Sequence, residues 1–288
     1  MCSSDLVFNI PAWLEQLVNS NRLGDKSGEG FFKKTKNAAG EKEILTLDLK
    51  TMQYVPRQKP KFPSVEASKS IDDLKTRLKA LCTGMDKSGD FLRHMHYGLF
   101  SYISHRIPEI SEELHRVDDA MMAGFGWEIG AFESWDVLGV AGSLKKMKDA
   151  GYTVAPWVDD MLAAGIQSFY KVENGQRCCY DLGTKSYRPL PGGQAFIVMK
   201  NFEHQTVWKN NACRLYHLGD EVLGLEWYTK MGSIGGEVLE GIRHSISVAE
   251  EKYKGLVIAN DTPNFSAGAN VGMIFMLAIE QEIGRAHV

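Results

Sequence analysis

Three blocks of this chain recur in the same order, and the recurrence constrains the fold more than any other feature. The sequence of each copy predicts a helix that begins near a proline, followed by an aromatic strand-like stretch and then a β-hairpin. The spacing between paired blocks falls from 144 to 138 to 133 residues, so the second copy has shorter loops. Three blocks in one order indicate a duplicated domain whose first copy has lost most of its front. The matching blocks are residues 11–18 with 155–162, 31–33 with 169–171, and 47–56 with 180–189.

Composition is that of an ordinary globular protein, of about two domains by length. The 288 residues are 44% hydrophobic and 24% charged, which is enough apolar side chain for a sizeable core. Net charge is −3, from 33 Lys and Arg against 36 Asp and Glu, so no global basic excess predicts nucleic-acid binding. The apolar runs are too short to cross a bilayer, and the first residues lack the pattern of a signal peptide. Five cysteines in this length indicate free thiols in a reducing compartment, here taken as the cytoplasm.

The two ends of the chain, residues 1–6 and 283–288, follow no helix or strand pattern. Both hexamers resemble translations of a common DNA-sequencing adapter, one in each strand orientation. We therefore expect both ends to be non-native and the protein to be an internal window of a longer chain. The alternative is an ordinary frayed terminus.

A proline-rich connector, residues 57–69, separates the two copies. Its basic cluster at residues 57–61 could contact an anionic ligand, but a solvated linker is the simpler interpretation. Apolar residues at helical spacing follow, and they predict a first helix capped by Ser70 with Asp73 three residues later. The predicted helices are 70–81, 90–104, one that opens at 111–113, and 139–148.

The histidines and the paired cysteines do not form a metal-binding pattern. His94 and His96 are two residues apart and point in different directions on a helix. Cys178 and Cys179 are adjacent, which predicts strand residues on opposite faces. Since the chain has no HExxH or CxxC sequence, we expect it to bind no metal.

Two glycine-containing segments have sequences specific enough to indicate a protein family. Residues 22–32 read RLGDKSGEGFF, and residues 118–140 read DDAMMAGFGWEIGAFESWDVLGV. The first resembles the G-x-K-x-G-x-G-F-Y stretch that closes the C-terminal domain of the 3-hydroxyacyl-CoA dehydrogenase family. The second is similar to that family's D-x-A-M…G-x-P-x-G-P-F-E-L-x-D-x-x-G block in order, length and residue type. Glu128 and Ala131 stand where the family has proline, which indicates a structural duplicate and not a second active site.

This resemblance implies a helical domain that supplies dimer contacts and one wall of a pocket for acyl-CoA thioesters. In the family, hydride transfer also needs NAD in a Rossmann domain with a Gly-rich phosphate loop, and a histidine base with a nearby glutamate. No G-x-G-x-x-G follows a predicted strand here, and Glu112 with His115 is most simply a surface pair on one helix face. We expect that this chain binds no cofactor and that the longer protein binds NAD.

The pattern changes to strands from about residue 192. Two short strands and a hairpin are followed by a helix and a buried strand, which together predict an α/β unit. The buried strand and its loop, GLVIAND and NFSAGAN at residues 255–261 and 264–270, resemble the opening of the enoyl-CoA hydratase/isomerase (crotonase) family. The predicted elements are strands at 195–199 and 207–209, a hairpin over 212–227, a helix over 234–253 and a strand over 254–260.

In that family, backbone N–H groups stabilise the negative charge that develops on a thioester carbonyl oxygen. The resemblance assigns one of the two donors to the N–H of Ala267, with Ser266 and Gly268 shaping the turn. Asn270 stands where the family often has aspartate. The catalytic glutamate pair would come from later segments, because Glu280 and Glu282 are too near in sequence. We therefore expect half an oxyanion hole, at Ala267 and Gly268, without its acid and base.

Together these features predict a mainly α-helical dehydrogenase C-terminal domain followed by an incomplete α/β crotonase-like domain. We expect a fragment of a bifunctional 3-hydroxyacyl-CoA dehydrogenase and enoyl-CoA hydratase of fatty-acid β-oxidation, inactive alone and homo-oligomeric through its helical domain. The alternative is a non-catalytic dimerisation and docking module with an inactive crotonase-like tail. The expected boundaries are 7–56 for the tail of a first helical copy, 57–69 for the linker, 70–191 for a second, degenerate copy and 192–282 for the start of the crotonase domain.

Overall fold

The computed structural model describes residues 10–261 and 264–279. The chain divides into two units, Met1–Lys69 and Ser70–Val288. The ends that we expect to be non-native, residues 1–6 and 283–288, lie outside the described residues, as do Glu280 and Glu282.

The described part of the first unit consists of a helix, an antiparallel sheet in the order β1-β2-β3 and a short second helix. The prediction of an extended connector over 57–69 is wrong at its second half, where α2 forms. Pro63 occupies the first turn of α2, where its fixed φ suits a helix and its missing N–H leaves no hydrogen bond unmade. The elements are α1 (Ala12–Asn19), β1 (Phe32–Lys36), β2 (Lys42–Leu47), β3 (Tyr54–Pro56) and α2 (Pro63–Ser68).

The second unit begins with a group of helices, as helical spacing predicts, together with α6, which that spacing does not predict. The proposed Ser70 cap is wrong. Asp73 caps α3 instead, because its carboxylate accepts a hydrogen bond from the Thr76 N–H at 2.8 Å. The helices are α3 (Leu74–Thr83), α4 (Lys87–Arg106), α5 (Leu114–Phe125), α6 (Ala131–Leu138), α7 (Val140–Asp149) and α8 (Pro156–Ala163).

Aromatic side chains dominate the core of these helices. Phe100 of α4 stacks on Trp135 of α6, with ring centroids 4.8 Å apart and ring planes 2° from parallel. Phe132 and Phe169 join them, and all four side chains are fully buried. Burial of side chains this large stabilises a fold by roughly 1.5–3 kcal/mol each, so this cluster fixes the position of α6.

A second antiparallel sheet follows α8, and its register repeats that of the first sheet. Its strands are β4 (Tyr170–Glu173), β5 (Gln176–Asp181) and β6 (Ser186–Pro189), in the order β4-β5-β6. Positions that match in the sequence repeat therefore pair with each other in both sheets. The equivalent pairs are Phe32–Thr46 with Tyr170–Cys179, Thr46–Val55 with Cys179–Arg188, and Leu47–Tyr54 with Tyr180–Tyr187.

Matching aromatic side chains also make matching contacts in the two units. The rings of Trp13 and Phe31 lie 5.9 Å apart with their planes at 63°. The rings of Trp157 and Phe169 lie 5.9 Å apart with their planes at 64°. An edge-to-face pair of this kind is favourable because the positive edge of one ring meets the negative face of the other. The helix and the sheet of each unit are therefore joined by the same anchor.

The tyrosines in the last strand of each sheet match as well. The Tyr54 hydroxyl donates to the Gly30 carbonyl at 2.7 Å, and the Tyr187 hydroxyl donates to the Ser168 carbonyl at 2.6 Å. Each bond ties the third strand to the residues before the first strand. A lysine lies over each of the two rings: Lys33 over Tyr54 at 5.3 Å and Lys171 over Tyr187 at 4.4 Å.

The last described part of the chain is an α/β arrangement, and the predicted hairpin and helix are confirmed. The predicted strand forms, but it is not buried as expected, because Val257 is 46% exposed and Ile258 is 39% exposed. The sheet order is β10-β9-β8-β7, and β10 runs parallel to β9 through the crossover helix α9. The strand predicted over 195–199 is wrong. A left-handed residue at Gly192, with φ of +80°, leads instead into short 3₁₀ turns. The elements are β7 (Thr206–Lys209), β8 (Cys213–Gly219), β9 (Val222–Trp227), α9 (Gly236–Lys252), β10 (Gly255–Ile258) and α10 (Val271–Ile279).

The cysteines of the described residues are free and buried. Burial raises the pKa of the Cys82 and Cys213 thiols to about 11 and that of Cys179 to about 12. Burial also raises the pKa of Cys178. Cys178 and Cys179 are both buried, although adjacent strand residues point to opposite faces. Among the described helices, none is long and apolar enough to cross a membrane.

Candidate functional site

The predicted thioester loop, residues 264–270, lies between β10 and α10. Asn260 ties this loop to the sheet. Its side-chain oxygen accepts from the Trp227 N–H at 3.0 Å, and its amide donates to the Phe265 carbonyl at 2.6 Å. The start of the loop is therefore held at the carboxyl ends of β9 and β10, where ligands bind in many open α/β sheets.

Ser266 holds the turn that the sequence assigns to it. Its hydroxyl donates to the Gly232 carbonyl at 2.7 Å and accepts from the Gly268 N–H at 2.9 Å. Gly268 has φ of +89°, a conformation that favours glycine. The Gly268 carbonyl in turn accepts from the Ile234 N–H at 2.8 Å. The loop is thus bonded along one side to the segment that connects β9 with α9.

The Ala267 N–H, the predicted oxyanion donor, donates to the Met231 carbonyl at 3.1 Å. Met231 is exposed and has φ of +57°, a left-handed conformation that is strained for a residue with a side chain. A thioester carbonyl could accept from Ala267 only in place of Met231. The donor role of Ala267 therefore stays a prediction.

Asn270 closes the loop. Its N–H donates to the Ile234 carbonyl at 2.8 Å, and its side-chain oxygen accepts from the Met273 N–H at 3.2 Å. The second bond is that of a helix N-cap, which satisfies a donor in the first turn of α10. In this structure Asn270 therefore has a local structural role.

Three carboxylates that pattern analysis did not single out lie together between α5, α6 and β4. Asp118 of α5 accepts from the N–H groups of Phe132 and Glu133, at 2.8 and 3.0 Å, and so caps α6. A negative charge is stabilised there because the N–H groups at a helix start point outward. Asp118 also accepts from the Tyr170 hydroxyl at 2.9 Å, which joins both helices to β4.

Asp136 holds the backbone at the start of β4 in the same way. Its two carboxylate oxygens accept from the N–H groups of Phe169 and Tyr170, at 2.7 and 2.8 Å. Burial raises the pKa of Asp136 from 3.8 to about 7, and the nearby charges of Asp118 and Glu133 raise it further against the two backbone hydrogen bonds. Burial also raises the pKa of Asp118. Both groups hold backbone N–H groups, so their role here is to position α6 and β4.

Glu133 forms ion pairs with two cationic side chains. Lys75 lies 2.7 Å from one carboxylate oxygen and Arg177 lies 2.9 Å from the other. Although burial alone would raise the pKa of Glu133, these partners hold it below its usual value. Glu133 is therefore an ionised anchor and not a proton donor near neutral pH.

A cavity of about 690 Å³ opens beside this ion cluster. That volume is within the range of small-molecule sites. Its wall combines charged and apolar side chains, and it includes Asp261 but not Ala267, so the structure does not bring the cavity and the predicted donor together. Residues that line it include Lys75, Glu133, Arg177, Phe196, Lys200 and Asp261.

The other side chains that the sequence pattern indicated as candidates lie apart from one another. His96 is buried and bonded to the Leu92 carbonyl at 2.8 Å, whereas His94 is exposed near the Tyr152 hydroxyl. Glu112 precedes the first residue of α5, so the prediction that it shares a helix face with His115 is wrong. No group of three His, Cys, Asp or Glu side chains within 10–261 and 264–279 could hold a metal ion.

NAD does not fit the described residues. A dinucleotide site needs a G-x-G-x-x-G turn between a strand and a helix whose first N–H groups are open to phosphate. Two strand-to-helix connections of the last sheet lack this sequence: residues 228–236, between β9 and α9, read YTKMGSIGG, and residues 259–270, between β10 and α10, read ANDTPNFSAGAN. In the first of them the Ile234 N–H is already bonded to the Gly268 carbonyl.

The chain is similar to proteins of fatty-acid oxidation. It is 35% identical over 272 residues to a "Probable 3-hydroxyacyl-CoA dehydrogenase" of Bacillus subtilis, a match that covers 94% of this chain and 34% of the relative. It is 23% identical over 262 residues to a "Putative fatty acid oxidation complex trifunctional enzyme" of Rickettsia prowazekii, covering 90% of this chain and 32% of the relative. A protein of the same description from Rickettsia felis is 22% identical over 263 residues, covering 91% of this chain and 32% of the relative.

This chain therefore spans about a third of the length of the curated relatives that it matches. No family model matches it, and no solved structure matches it. Its relatives nevertheless agree with the dehydrogenase resemblance that residues 22–32 and 118–140 carry. Helices with small sheets are compatible with a dehydrogenase C-terminal domain.

Proposed function

We propose that this chain is part of a bifunctional protein of fatty-acid β-oxidation, with 3-hydroxyacyl-CoA dehydrogenase and enoyl-CoA hydratase activities. The observation that carries the dehydrogenase half is the 35% identity to the Bacillus subtilis protein, which extends over 94% of this chain. The longer protein would bind NAD and acyl-CoA thioesters and work in the cytoplasm. This chain would contribute neither the NAD site nor the hydratase glutamates.

The first unit would be the end of one dehydrogenase C-terminal domain, and residues 70–191 of the second unit would be a second, degenerate copy of it. The matched strand registers support this duplication, because a one-residue slip would exchange the two faces of a strand. The equal geometry of the Trp13–Phe31 and Trp157–Phe169 pairs supports it further. Such a helical domain would supply one wall of the acyl pocket and the contacts of a homo-oligomer.

The residues from about 192 onward would be the start of a crotonase domain. Its chemistry requires a backbone donor for the oxygen of a thioester, on which negative charge builds during hydration. Ala267 would provide that N–H once the Met231 carbonyl is displaced, and Gly268 would leave room for the backbone to approach the substrate. The hydrogen bonds of Asn260 and Ser266 support this assignment, because they place the turn at the carboxyl ends of β9 and β10.

A binding measurement tests the thioester proposal on the chain as it exists. Crotonyl-CoA added to ¹⁵N-labelled protein should shift the amide signal of Ala267 in a saturable way, and free coenzyme A should not. Thioester-independent shifts, or none, would contradict the crotonase assignment. The chain alone should form no NADH from NAD and 3-hydroxybutyryl-CoA, and turnover would contradict the assignment of the missing sites.

One observation favours the alternative of a non-catalytic dimerisation and docking module. The Ala267 N–H is already bonded to Met231, so the structure holds no open donor at that position. Sequencing the gene in both directions separates the two functions. A Gly-rich strand-to-helix turn upstream and a glutamate pair downstream support the enzyme, whereas their absence supports the module.

A further inference from the structure

Phe31 and Phe169 occupy equivalent positions but differ in exposure. Phe169 is fully buried, because Phe132 and Trp135 of α6 contact its ring at centroid distances of 5.0 and 5.2 Å. Phe31 keeps its own tryptophan partner at the equivalent distance, yet 47% of its surface is exposed. The anchor of the first unit is therefore complete on the α1 side and uncovered on the side that α6 covers in the second unit.

The backbone N–H groups beside these rings also differ between the two units, since, within the part of the chain that the structure describes, they have a side-chain acceptor only in the second. Asp136 of α6 accepts from the N–H groups of Phe169 and Tyr170 on the open edge of β4. In the first sheet β1 is likewise an edge strand with the same register, so the Phe32 N–H points away from β2. Among the described residues, no side chain accepts from the N–H groups of Phe31 or Phe32. The Phe32 carbonyl on this edge accepts from the Gly30 N–H at 3.1 Å, so the two N–H groups are what the edge offers to an added partner.

A single exposed phenylalanine would need no explanation, since much of any protein surface is apolar. Here the apolar side chains beside it are also more exposed than their counterparts, although Phe32 points to the opposite side of β1 from Phe31. Phe32 is 52% exposed, and Leu14 of α1 is half-buried where its counterpart Val158 is fully buried. The Phe31 ring and the two N–H groups occupy the positions that α6 contacts in the second unit, through Phe132, Trp135 and Asp136.

We propose that this part of the first unit, the Phe31 ring with the N–H groups of Phe31 and Phe32, is an interaction surface for one α-helix of the α6 type. The partner helix carries two aromatic side chains three residues apart, as Phe132 and Trp135 are. It carries a carboxylate directly after the second aromatic, as Asp136 is. The rings cover Phe31, and the carboxylate accepts from the two edge N–H groups. This inference rests on the duplication proposed above and not on either enzyme activity.

A peptide titration tests the surface on the full chain. The probe is a helix-stabilised synthetic peptide with the sequence of residues 130–139, GAFESWDVLG. We expect saturable shifts of the Phe31 and Phe32 amide signals of ¹⁵N-labelled protein, with the protons moving downfield as they bond to the carboxylate. The matched control peptide has the sequence of residues 140–149, which has the same length but no aromatic side chain.

Variants of the peptide and of the chain distinguish this contact from nonspecific binding. D136N in the peptide should weaken binding at least tenfold and abolish the downfield shift, because the charge that favours both N–H bonds is lost. F31A in the chain should abolish binding, and F31L, which keeps apolar bulk and a folded sheet, should retain it partly.

Equal binding of the peptide and its D136N form, equal binding to the F31A chain, or shifts at Phe169 and Tyr170 alone would each overturn the proposal. So would the absence of shifts at millimolar peptide. None of these results involves an acyl-CoA, so each leaves the crotonyl-CoA test of the proposed function unaffected.

Discussion

Gly130 lies so close to Asp118 that a Cβ on the glycine would fall 2.2 Å from the Asp118 Cβ. Only a residue without a side chain lets the Asp118 carboxylate reach the first N–H groups of α6. The glycine before α6 and the aspartate on α5 therefore act as one unit, although they are far apart in sequence.

Replacement of Gly130 by alanine should lower the free energy of unfolding by about 1–3 kcal/mol, as overpacking does in other cores. The clash involves the base of the Asp118 side chain, which cannot swing away without breaking the α6 cap. Urea unfolding followed by circular dichroism measures the change. The control is G124A in α5, where a new Cβ meets nothing within 4 Å and the helix should gain a few tenths of a kcal/mol or more. Equal stability of the two variants would contradict the argument.

The stability of the second unit should depend on pH through Asp136. Its pKa is raised from 3.8 to about 7 on folding, so the folded state binds more protons than the unfolded state between those values. Its contribution is therefore fully present below pH 3.8 and is lost as pH rises through 7, at about 1.4 kcal/mol for each pKa unit.

The measurement is the free energy of unfolding of the wild type and of D136N from pH 4 to pH 8. The difference between them should fall across that window, because asparagine does not titrate. Parallel pH profiles would show that Asp136 does not carry the proton.

Phe169 and Phe31 should differ in their contribution to stability. F169A should cost about 3–5 kcal/mol, as expected for a large cavity in a closed core. F31A removes a ring that is already 47% exposed, so its cost should be less than half as large. Thermal or urea unfolding of each variant decides this, and an equal loss would mean that the face around Phe31 is already covered.

Tyr54 and Tyr187 should both contribute to stability through their hydroxyls. Each donates one hydrogen bond to a backbone carbonyl, and Tyr187 also shares one with the Ser168 hydroxyl at 3.0 Å. Y54F should therefore cost about 1 kcal/mol and Y187F at least as much. The double variant should cost the sum of the two, since the bonds lie in different sheets. Unfolding measured for the three proteins tests equivalence, and a cost at one position only would argue against it.

The bond between Ala267 and Met231 should open when Gly232 is enlarged. A Cβ on Gly232 would lie 3.0 Å from the Phe265 carbonyl oxygen and 3.2 Å from the Ser266 Cα, so G232A should push the two segments apart. Hydrogen exchange of the Ala267 amide should become at least tenfold faster. G219A, also at positive φ but with open space around it, is the matched control and should leave that exchange unchanged.

M231N should act in the opposite direction. Asparagine adopts the left-handed conformation of residue 231 more readily than methionine, so the Ala267 amide should exchange more slowly. Slower exchange in G232A, or faster exchange in M231N, would refute the strained contact described here.

The local elements could be predicted from the sequence because their causes are local. Proline at the start of α8, apolar spacing along α4 and the turn at Gly219 and Asp220 each lie within the element that they define. The repeated blocks also predicted a helix followed by a small sheet in each unit. The prediction of a strand at 195–199 was wrong because a short run of apolar residues does not distinguish a strand from a turn, and here Phe196 and Ile197 are exposed.

The carboxylate cluster could not be predicted in the same way. Asp118, Glu133 and Asp136 were part of a block that resembles a family, but their partners Tyr170 and Arg177 lie on strands far along the chain. Neither the spacing of residues nor their type states which backbone N–H a carboxylate will accept. The bond of Ala267 to Met231 was missed for the same reason, because it joins two loops on either side of α9.

The burial of the thiols makes them reporters of local opening. A thiol whose pKa is near 11 or 12 exposes very little thiolate at neutral pH, so alkylation must wait until the surrounding structure opens. The alkylation rates of Cys82 and Cys179 would report the opening of the helical core, and that of Cys213 would report the opening of the last sheet. The described part of the first unit contains no cysteine, so its opening would pass unseen. Peptide-resolved alkylation would thus record the order in which two regions of one chain come apart.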